Sequence, residues 1–155
     1  MSEIERILDQ LKRAYISEAW HGPAVSEILK GITAQQAATR PLPEGHSIWE
    51  LVLHITVWLQ ACRRRLKGDP AQLDTAGDWP KVINTGDQSW NEAKRTMTQA
   101  YVELMSAIVL LDESKLDQPI IAGMSSNYVT LHGVIQHTLY HAGQIALLKK
   151  AISER

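Results

Sequence analysis

Apolar side chains recur every three or four residues from the start of the chain, which is the spacing of one face of an α-helix. The first such series comprises Ile4, Leu8, Leu11, Tyr15 and Ala19. Ser2 and Glu5 have the spacing of a capping box, which begins a helix. Because Pro23 lacks an amide hydrogen and follows Gly22, we expect an interruption there, after which the apolar pattern resumes up to Gly31. This segment therefore predicts one kinked helix or two adjoining pieces.

A second helix is predicted to begin at the capping box Ser47–Glu50, after a helical turn at Thr33–Ala38 and a loop at Arg40–Gly45. It runs to about Lys67, where the sequence Gly68-Asp69-Pro70 stops it. Its apolar residues cover more than one face, since three of them fall outside the main arc: Trp49, Leu53 and Val57. Such a helix must be buried on more than one side, by loops or by a second subunit, and these residues favour a homodimer.

Two more helices are predicted in the second half of the chain. Asp87 is placed to cap a third helix, which ends near Asp112. Its apolar stripe comprises Trp90, Met97, Tyr101, Leu104, Ile108 and Leu111. Either Asn127 or Thr130 caps the last helix, which runs to about Ser153.

The segments between these helices lack a sustained period. Gln72–Gly86 is predicted to be a long crossover loop, and Leu116–Asn127 is irregular, with a short extended piece at Pro119–Ile121. Four amphipathic helices with hardly any strand pattern predict an all-α four-helix bundle with crossover connections. The length of 155 residues fits a single domain over residues 1–155.

Composition narrows the function classes. With 45% hydrophobic residues, 21% charged residues and a formal net charge of −1, the chain offers no electrostatic basis for nucleic-acid binding. No apolar run reaches membrane length and the start of the chain lacks a signal-peptide pattern, so we expect a cytoplasmic protein without a membrane partner. Cys62 is the one cysteine, which excludes an internal disulfide and a cysteine-based zinc cage.

The last predicted helix carries two histidines at metal-binding spacing. His137 and His141 lie one turn apart, in the same stripe as Val134 and Ile145. Burying two imidazoles in an apolar stripe is costly unless each has a partner, and one metal ion would satisfy both. His54, in the apolar arc of the second helix, is the natural third ligand. Three neutral imidazoles leave a coordination position open, as a catalytic site requires.

Spacing alone leaves a second interpretation open, because a buried histidine is often a hydrogen-bonded core residue. Other side chains are candidates for the surroundings of the site. Gln144 is placed to orient a ligand or substrate, Trp58 shares the arc of the second helix, and His21 approaches the site if the interruption before it points inward. His46 is expected in an exposed turn, and His132 is expected to face elsewhere.

Two histidine-containing segments occur in a characteristic order: Leu51-Val-Leu-His54-Ile55 in the second helix and His137-Thr-Leu-Tyr-His141-Ala-Gly-Gln-Ile145 in the last. On these motifs the chain resembles the DinB-like superfamily. The resemblance implies a four-helix bundle with crossover connections, often dimeric, that holds one divalent metal ion, zinc or nickel, on His54, His137 and His141. Tyr140 departs from the charged or histidine residue that some members have before the last ligand.

The same resemblance implies two reaction classes, since the superfamily includes thiol-dependent S-transferases and proposed metal-dependent hydrolases. The substrate is then a small molecule, and S-transfer also requires a low-molecular-weight thiol as cosubstrate. The alternative is a dimeric, non-catalytic stress-response protein that uses the same histidines to bind a metal or a ligand.

Overall fold

The computed structural model describes residues 1–153, which form an all-α structure. The helices in this range are α1 (Glu3–Tyr15), α2 (Val25–Ile28), α3 (Ala34–Ala38), α4 (Ile48–Leu66), α5 (Thr75–Asp78), α6 (Asp87–Val109) and α7 (Asn127–Ser153). A 3-10 turn covers Glu113–Lys115, and one antiparallel bridge joins Pro119 to Ser126. None of these helices combines the length and the apolar character needed to cross a membrane. The predicted all-α fold is confirmed.

Four long helices make the bundle, and their packing explains the crossovers. α1 packs against α6 and α7, and α4 packs against the same two helices, so α1 and α4 lie at opposite corners. The chain therefore crosses the bundle between α1 and α4, by way of α2 and α3, and again between α6 and α7. The prediction of a crossover at Gln72–Gly86 is wrong, because that segment joins α4 to its neighbour α6. The core between the helices includes the fully buried Leu11, Leu59, Leu104 and Leu131.

The first helix is shorter than its apolar pattern predicts. α1 ends at Tyr15, so the predicted continuation to Ala19 is wrong, and α2 is a separate piece. Glu18 adopts a φ of 64°, which no α-helix allows. Its carbonyl accepts a hydrogen bond from the guanidinium of Arg13 at 3.0 Å, which stabilises the turn in place of a helical hydrogen bond.

The predicted capping boxes at Ser2 and Ser47 are confirmed, whereas the caps of the two later helices differ. Asp87 is the first residue of α6 and not its cap. α7 is capped by Ser126, whose hydroxyl accepts a hydrogen bond of 3.2 Å from an amide of the first turn, so neither Asn127 nor Thr130 caps it. The Asn127 side chain instead donates to two carbonyls of the preceding loop.

The second apolar face of α4 is covered from within the same chain. Trp49 is 2% exposed and packs at a tilt against Trp90 of α6, with 5.1 Å between ring centroids. Leu53 packs against the core beside Val82, which belongs to the segment between α5 and α6. The sequence offered burial of this face by loops or by a second subunit. Packing within the same chain accounts for Trp49 and Leu53, while Val57 is half-buried.

Candidate metal centre

Three histidines from two long helices come together in the described part of the chain. His54 projects from α4, and His137 and His141 project from α7, which packs against it. The Nε2 atom of His137 lies 2.9 Å from Nε2 of His54 and 3.1 Å from Nε2 of His141. His54 and His141 are each 5% exposed and His137 is half-buried. The sequence-predicted triad is thus one compact cluster of nitrogen atoms.

Local helix geometry and helix packing each contribute to this convergence. Residues four apart on α7 lie on the same face, so His137 and His141 project together, with ring centroids 4.5 Å apart. The contact between α4 and α7 then brings the His54 ring to 4.8 Å from the first of these rings and to 4.7 Å from the second.

Hydrogen bonds on the outer side of two imidazoles fix where their protons are. The Nδ1 atom of His54 lies 2.7 Å from the carbonyl oxygen of Asp78, and Nδ1 of His141 lies 2.6 Å from Oε1 of Gln144. Both partners are acceptors, so each Nδ1 carries the hydrogen and donates it. In a neutral ring the lone pair is then on Nε2, which is the atom that faces the centre of the cluster.

In this arrangement the nitrogen lone pairs at the centre of the cluster outnumber the hydrogens that could bond to them. Two Nε2 lone pairs face Nε2 of His137, and a single hydrogen there makes a well-directed bond to only one of them. A cation bound by all three lone pairs would satisfy every one. Tetrahedral coordination with metal–nitrogen bonds of about 2.0–2.1 Å needs nitrogen atoms about 3.3 Å apart, close to the separations found here. The residues present therefore fit a divalent metal ion.

Burial keeps the two imidazoles of α7, those of His137 and His141, in the neutral form that binds metals. Desolvation lowers the pKa of His137, and the neighbouring His141 and His54 act in the same direction, so that together they bring it to about 3. Desolvation also lowers the pKa of His141, although the hydrogen bond that this ring donates to Gln144 opposes that shift. At neutral pH both rings present lone pairs rather than protons.

The cluster is covered by the segment between α4 and α6, which the sequence predicts to be a loop. A carboxylate oxygen of Asp78 accepts a hydrogen bond of 2.7 Å from Nε1 of Trp58 and lies 3.2 Å from Nδ1 of His54. The ring of Trp79 stacks on that of His54, with centroids 3.8 Å apart and planes within 3°. Asp78 and Trp79 were missed as site residues because they have no periodic pattern, and the tryptophan in a polar loop was the one available signal.

Some of the remaining candidate residues lie at the site, and the others lie away from it. Gln144 holds His141, and Trp58 reaches the site through Asp78, as described above. His46 is exposed, as expected, but its ring stacks on the other side of Trp79 at 3.5 Å. His132 faces elsewhere, since it contacts Tyr128 and lies 3.8 Å from Glu3. The candidate His21 is exposed in the turn before α2 and shares no hydrogen bond, ion pair or ring contact with the three histidines.

A cavity of about 290 Å³ lies beside the cluster, and His137 forms part of its wall. A second cavity, of about 610 Å³, adjoins α5 and shares Trp58 and Arg65 with the first. Space for a small molecule therefore exists next to one of the three imidazoles.

The comparison with protein-family models finds one family. Residues 19–145 match the DinB superfamily, a range that includes all three histidines and most of the chain. Neither the curated proteins nor the solved structures contain a match. The chain belongs to the DinB superfamily.

Proposed function

We propose that the protein is a metal-dependent enzyme in which His54, His137 and His141 hold one divalent ion. The observation that carries this proposal is the convergence of three Nε2 atoms whose outer nitrogens are fixed as donors in two of the three rings. Zinc or nickel is the proposed ion, since neutral imidazole suits both and no thiolate or carboxylate of residues 1–153 completes the set.

The surroundings favour a catalytic ion over a structural one. Structural zinc is usually enclosed by four protein ligands, whereas a catalytic ion keeps a position open for water or substrate. Here the cluster has three nitrogen ligands, and the wall of the adjacent cavity includes His137. A small molecule in that cavity would lie beside the open position.

The proposed reaction is hydrolysis of a small molecule or thiol-dependent S-transfer to one. A divalent ion held by neutral ligands would act as a Lewis acid and lower the pKa of water or of a low-molecular-weight thiol in its open position. The protein's own part is orientation and exclusion of water. Asp78 and Gln144 hold two imidazoles in place, and the indole of Trp79 covers the face of His54.

The proposal also covers the location and the oligomeric state of the protein. We propose a cytoplasmic homodimer that binds no nucleic acid. A formal net charge of −1 supports the last point, because a nucleic-acid surface needs an excess of basic residues. Several large apolar side chains are exposed on α6, at the residue that follows it and on α7, and they offer contact area for a second subunit: Val102, Val109, Leu110, Tyr140 and Leu147. Sedimentation velocity at micromolar concentration tests the dimer.

The first experiment is elemental analysis of untagged wild type beside His54→Ala, His137→Ala and the control His132→Ala. We expect about one ion per chain in the wild type and in the control, and none in the other two variants. The control removes a histidine of the same helix that faces away from the cluster. Thiol acceptors, esters and amides are then screened with the metal-bound protein.

The outcomes separate the alternatives. Activity that chelation abolishes and zinc or nickel restores supports the enzyme. Metal bound at one ion per chain without any turnover, and with a large loss of thermal stability on chelation, supports the non-catalytic metal-binding protein instead. A wild type that takes up neither metal contradicts both, and leaves histidines that only bond one another.

A further inference from the structure

The cavity beside His137 is mostly apolar and has one charged residue in its wall. The wall is formed by Trp58, Cys62, Arg65, Ser125, Val129, Thr130, Gly133, Val134 and His137. Burial raises the pKa of the Cys62 thiol to about 12, so this thiol is uncharged at neutral pH. No carboxylate in the described part of the chain lines this cavity. A ligand here would therefore meet apolar surface, two hydroxyl groups and the guanidinium of Arg65.

Within the described residues 1–153, Arg65 has no carboxylate partner, unlike the two arginines before it in the sequence. Arg63 forms an ion pair with Glu103 at 2.6 Å, and Arg64 forms one with Asp69 at 2.7 Å. Among residues 1–153, no carboxylate oxygen lies within 4.0 Å of Arg65. Its Nε donates to the carbonyl of Pro70 at 3.1 Å, which leaves the other guanidinium donors unpaired.

The position of this guanidinium is fixed by an aromatic ring. The Arg65 Cζ atom lies 5.3 Å from the centroid of Trp58, whose indole is itself anchored to Asp78. A cation held over an aromatic face keeps its planar fork oriented, and that fork matches the two oxygens of a carboxylate. The donors of Arg65 are thus preorganised at the edge of an apolar cavity whose wall also includes His137.

We propose that this cavity is the substrate site of the metal centre, and that its substrate is a small apolar molecule with a carboxylate that pairs with Arg65. That the bound molecule is a substrate rests on the proposed function. Its binding depends only on Arg65 and on the cavity. The apolar body lies between Trp58 and Val134. The volume of about 290 Å³ limits the ligand to a single small ring or a short chain.

The test compares phenylacetate with phenylacetamide, which has the same shape and no charge. Binding is measured by titration calorimetry to zinc-treated and to chelator-treated wild type, Arg65→Gln and Arg64→Gln. We expect chelator-treated wild type to prefer the acid by about tenfold or more, the size typical of charge-assisted hydrogen bonds. Arg65→Gln loses this preference, and the control Arg64→Gln, which changes the adjacent arginine, keeps it.

A second pair of variants tests the location of the probe. A Cβ added at Gly133 meets no atom within 4 Å, so Gly133→Leu fills the cavity without a backbone clash and is compatible with the helix. The matched control is Gly143→Leu, on the exposed side of the same helix, where an added Cβ also meets nothing. We expect Gly133→Leu to weaken the binding of both probes at least tenfold and the control to leave both unchanged.

The outcomes distinguish this proposal from the function on which it rests. Equal affinity for the two probes, no binding of phenylacetate at millimolar concentration, or unchanged binding in Gly133→Leu overturns the carboxylate site. Binding of phenylacetate that needs zinc and is indifferent to Arg65→Gln also overturns it, because the acid then lies on the metal, while the metal centre stands. An Arg65-dependent preference in a protein that takes up no metal supports the carboxylate site and contradicts the proposed function.

Discussion

Two regions build the metal centre by different means. The three imidazoles are carried by α4 and α7, long helices whose buried faces form much of the core. The cover over His54 is carried by α5 and Trp79, a segment of four helical residues and a following tryptophan with no fully buried side chain. The helices determine where the three nitrogen atoms converge, and the short segment determines which way the His54 ring is turned.

From this comparison we expect stability to depend on the core of the long helices, and metal affinity to depend also on the cover over His54. Changes within the helix core should destabilise the fold and leave the composition of the site unchanged. Changes in the cover, or in Gln144 on α7, should leave the fold largely intact and weaken metal binding. The predictions below test that separation, from the largest expected effect to the smallest.

Leu59→Ala should cause the largest loss of stability. Leu59 is fully buried on α4, and truncating such a leucine costs about 2–5 kcal/mol in the free energy of unfolding. Denaturant titration of the metal-free protein measures the loss, with Leu147→Ala, at a side chain 65% exposed, as a control expected to change little. Folded Leu59→Ala should still bind one ion per chain, and the separation fails if this variant is folded but takes up no metal.

Asp78→Ala should weaken metal binding about tenfold to a hundredfold, the usual cost of removing an outer partner of a ligand. The variant removes the carboxylate next to His54 and the acceptor of the Trp58 indole. Competition with a chromogenic chelator measures the affinity. Asp78→Asn, which keeps an acceptor for Trp58, should recover part of the loss, and the exposed control Asp117→Ala should match wild type. A loss of stability as large as that of Leu59→Ala would contradict a purely orienting role.

Gln144→Leu should have a smaller effect, about tenfold in metal affinity, because it removes one hydrogen bond that fixes the tautomer of His141. Gln144→Glu keeps the acceptor and should restore the affinity. The matched control is Gln136→Leu, which removes an exposed glutamine of the same helix. An unchanged affinity in Gln144→Leu would show that the ring of His141 is held by packing alone.

Acidification should destabilise the metal-free protein gradually, over several pH units. The pKa of His137 is lowered to about 3 by burial, from an ordinary value of about 6.5, so the unfolded chain binds a proton that the folded chain does not. Stability should therefore fall as the pH falls from about 6.5 towards about 3. His137→Gln should show a shallower decline in thermal unfolding between those values, and an identical decline would assign the effect to other groups.

Much of this architecture follows from the sequence. The capping boxes at Ser2 and Ser47 and the four apolar stripes predict the long helices, because burial of one face at helical period is a local property of the chain. Spacing on one helix also pairs His137 with His141. His54 joins them as a candidate through its place in the apolar arc of α4 and through the superfamily resemblance.

Other features depend on contacts between distant segments. The end of α1 depends on the φ of Glu18 and on its carbonyl contact with Arg13, neither of which has a periodic signature. The cap of α7 is Ser126, and the Asn127 side chain instead donates to carbonyls of the preceding loop. The second face of α4 is covered by Trp90 and by the segment at Val82, partners that the pattern of α4 by itself does not specify.

The sequence by itself determined the helices, the faces that they bury and the candidate ligands, since each depends on residues a few positions apart. Only the tertiary structure decided that Asp78 and Trp79 hold and cover His54. It also decided that Arg65, beside a cavity, lacks among residues 1–153 the carboxylate partner that Arg63 and Arg64 have. These are relations between side chains that come together across loops. No local period records them, because the free energy that fixes them is gained only when the helices pack.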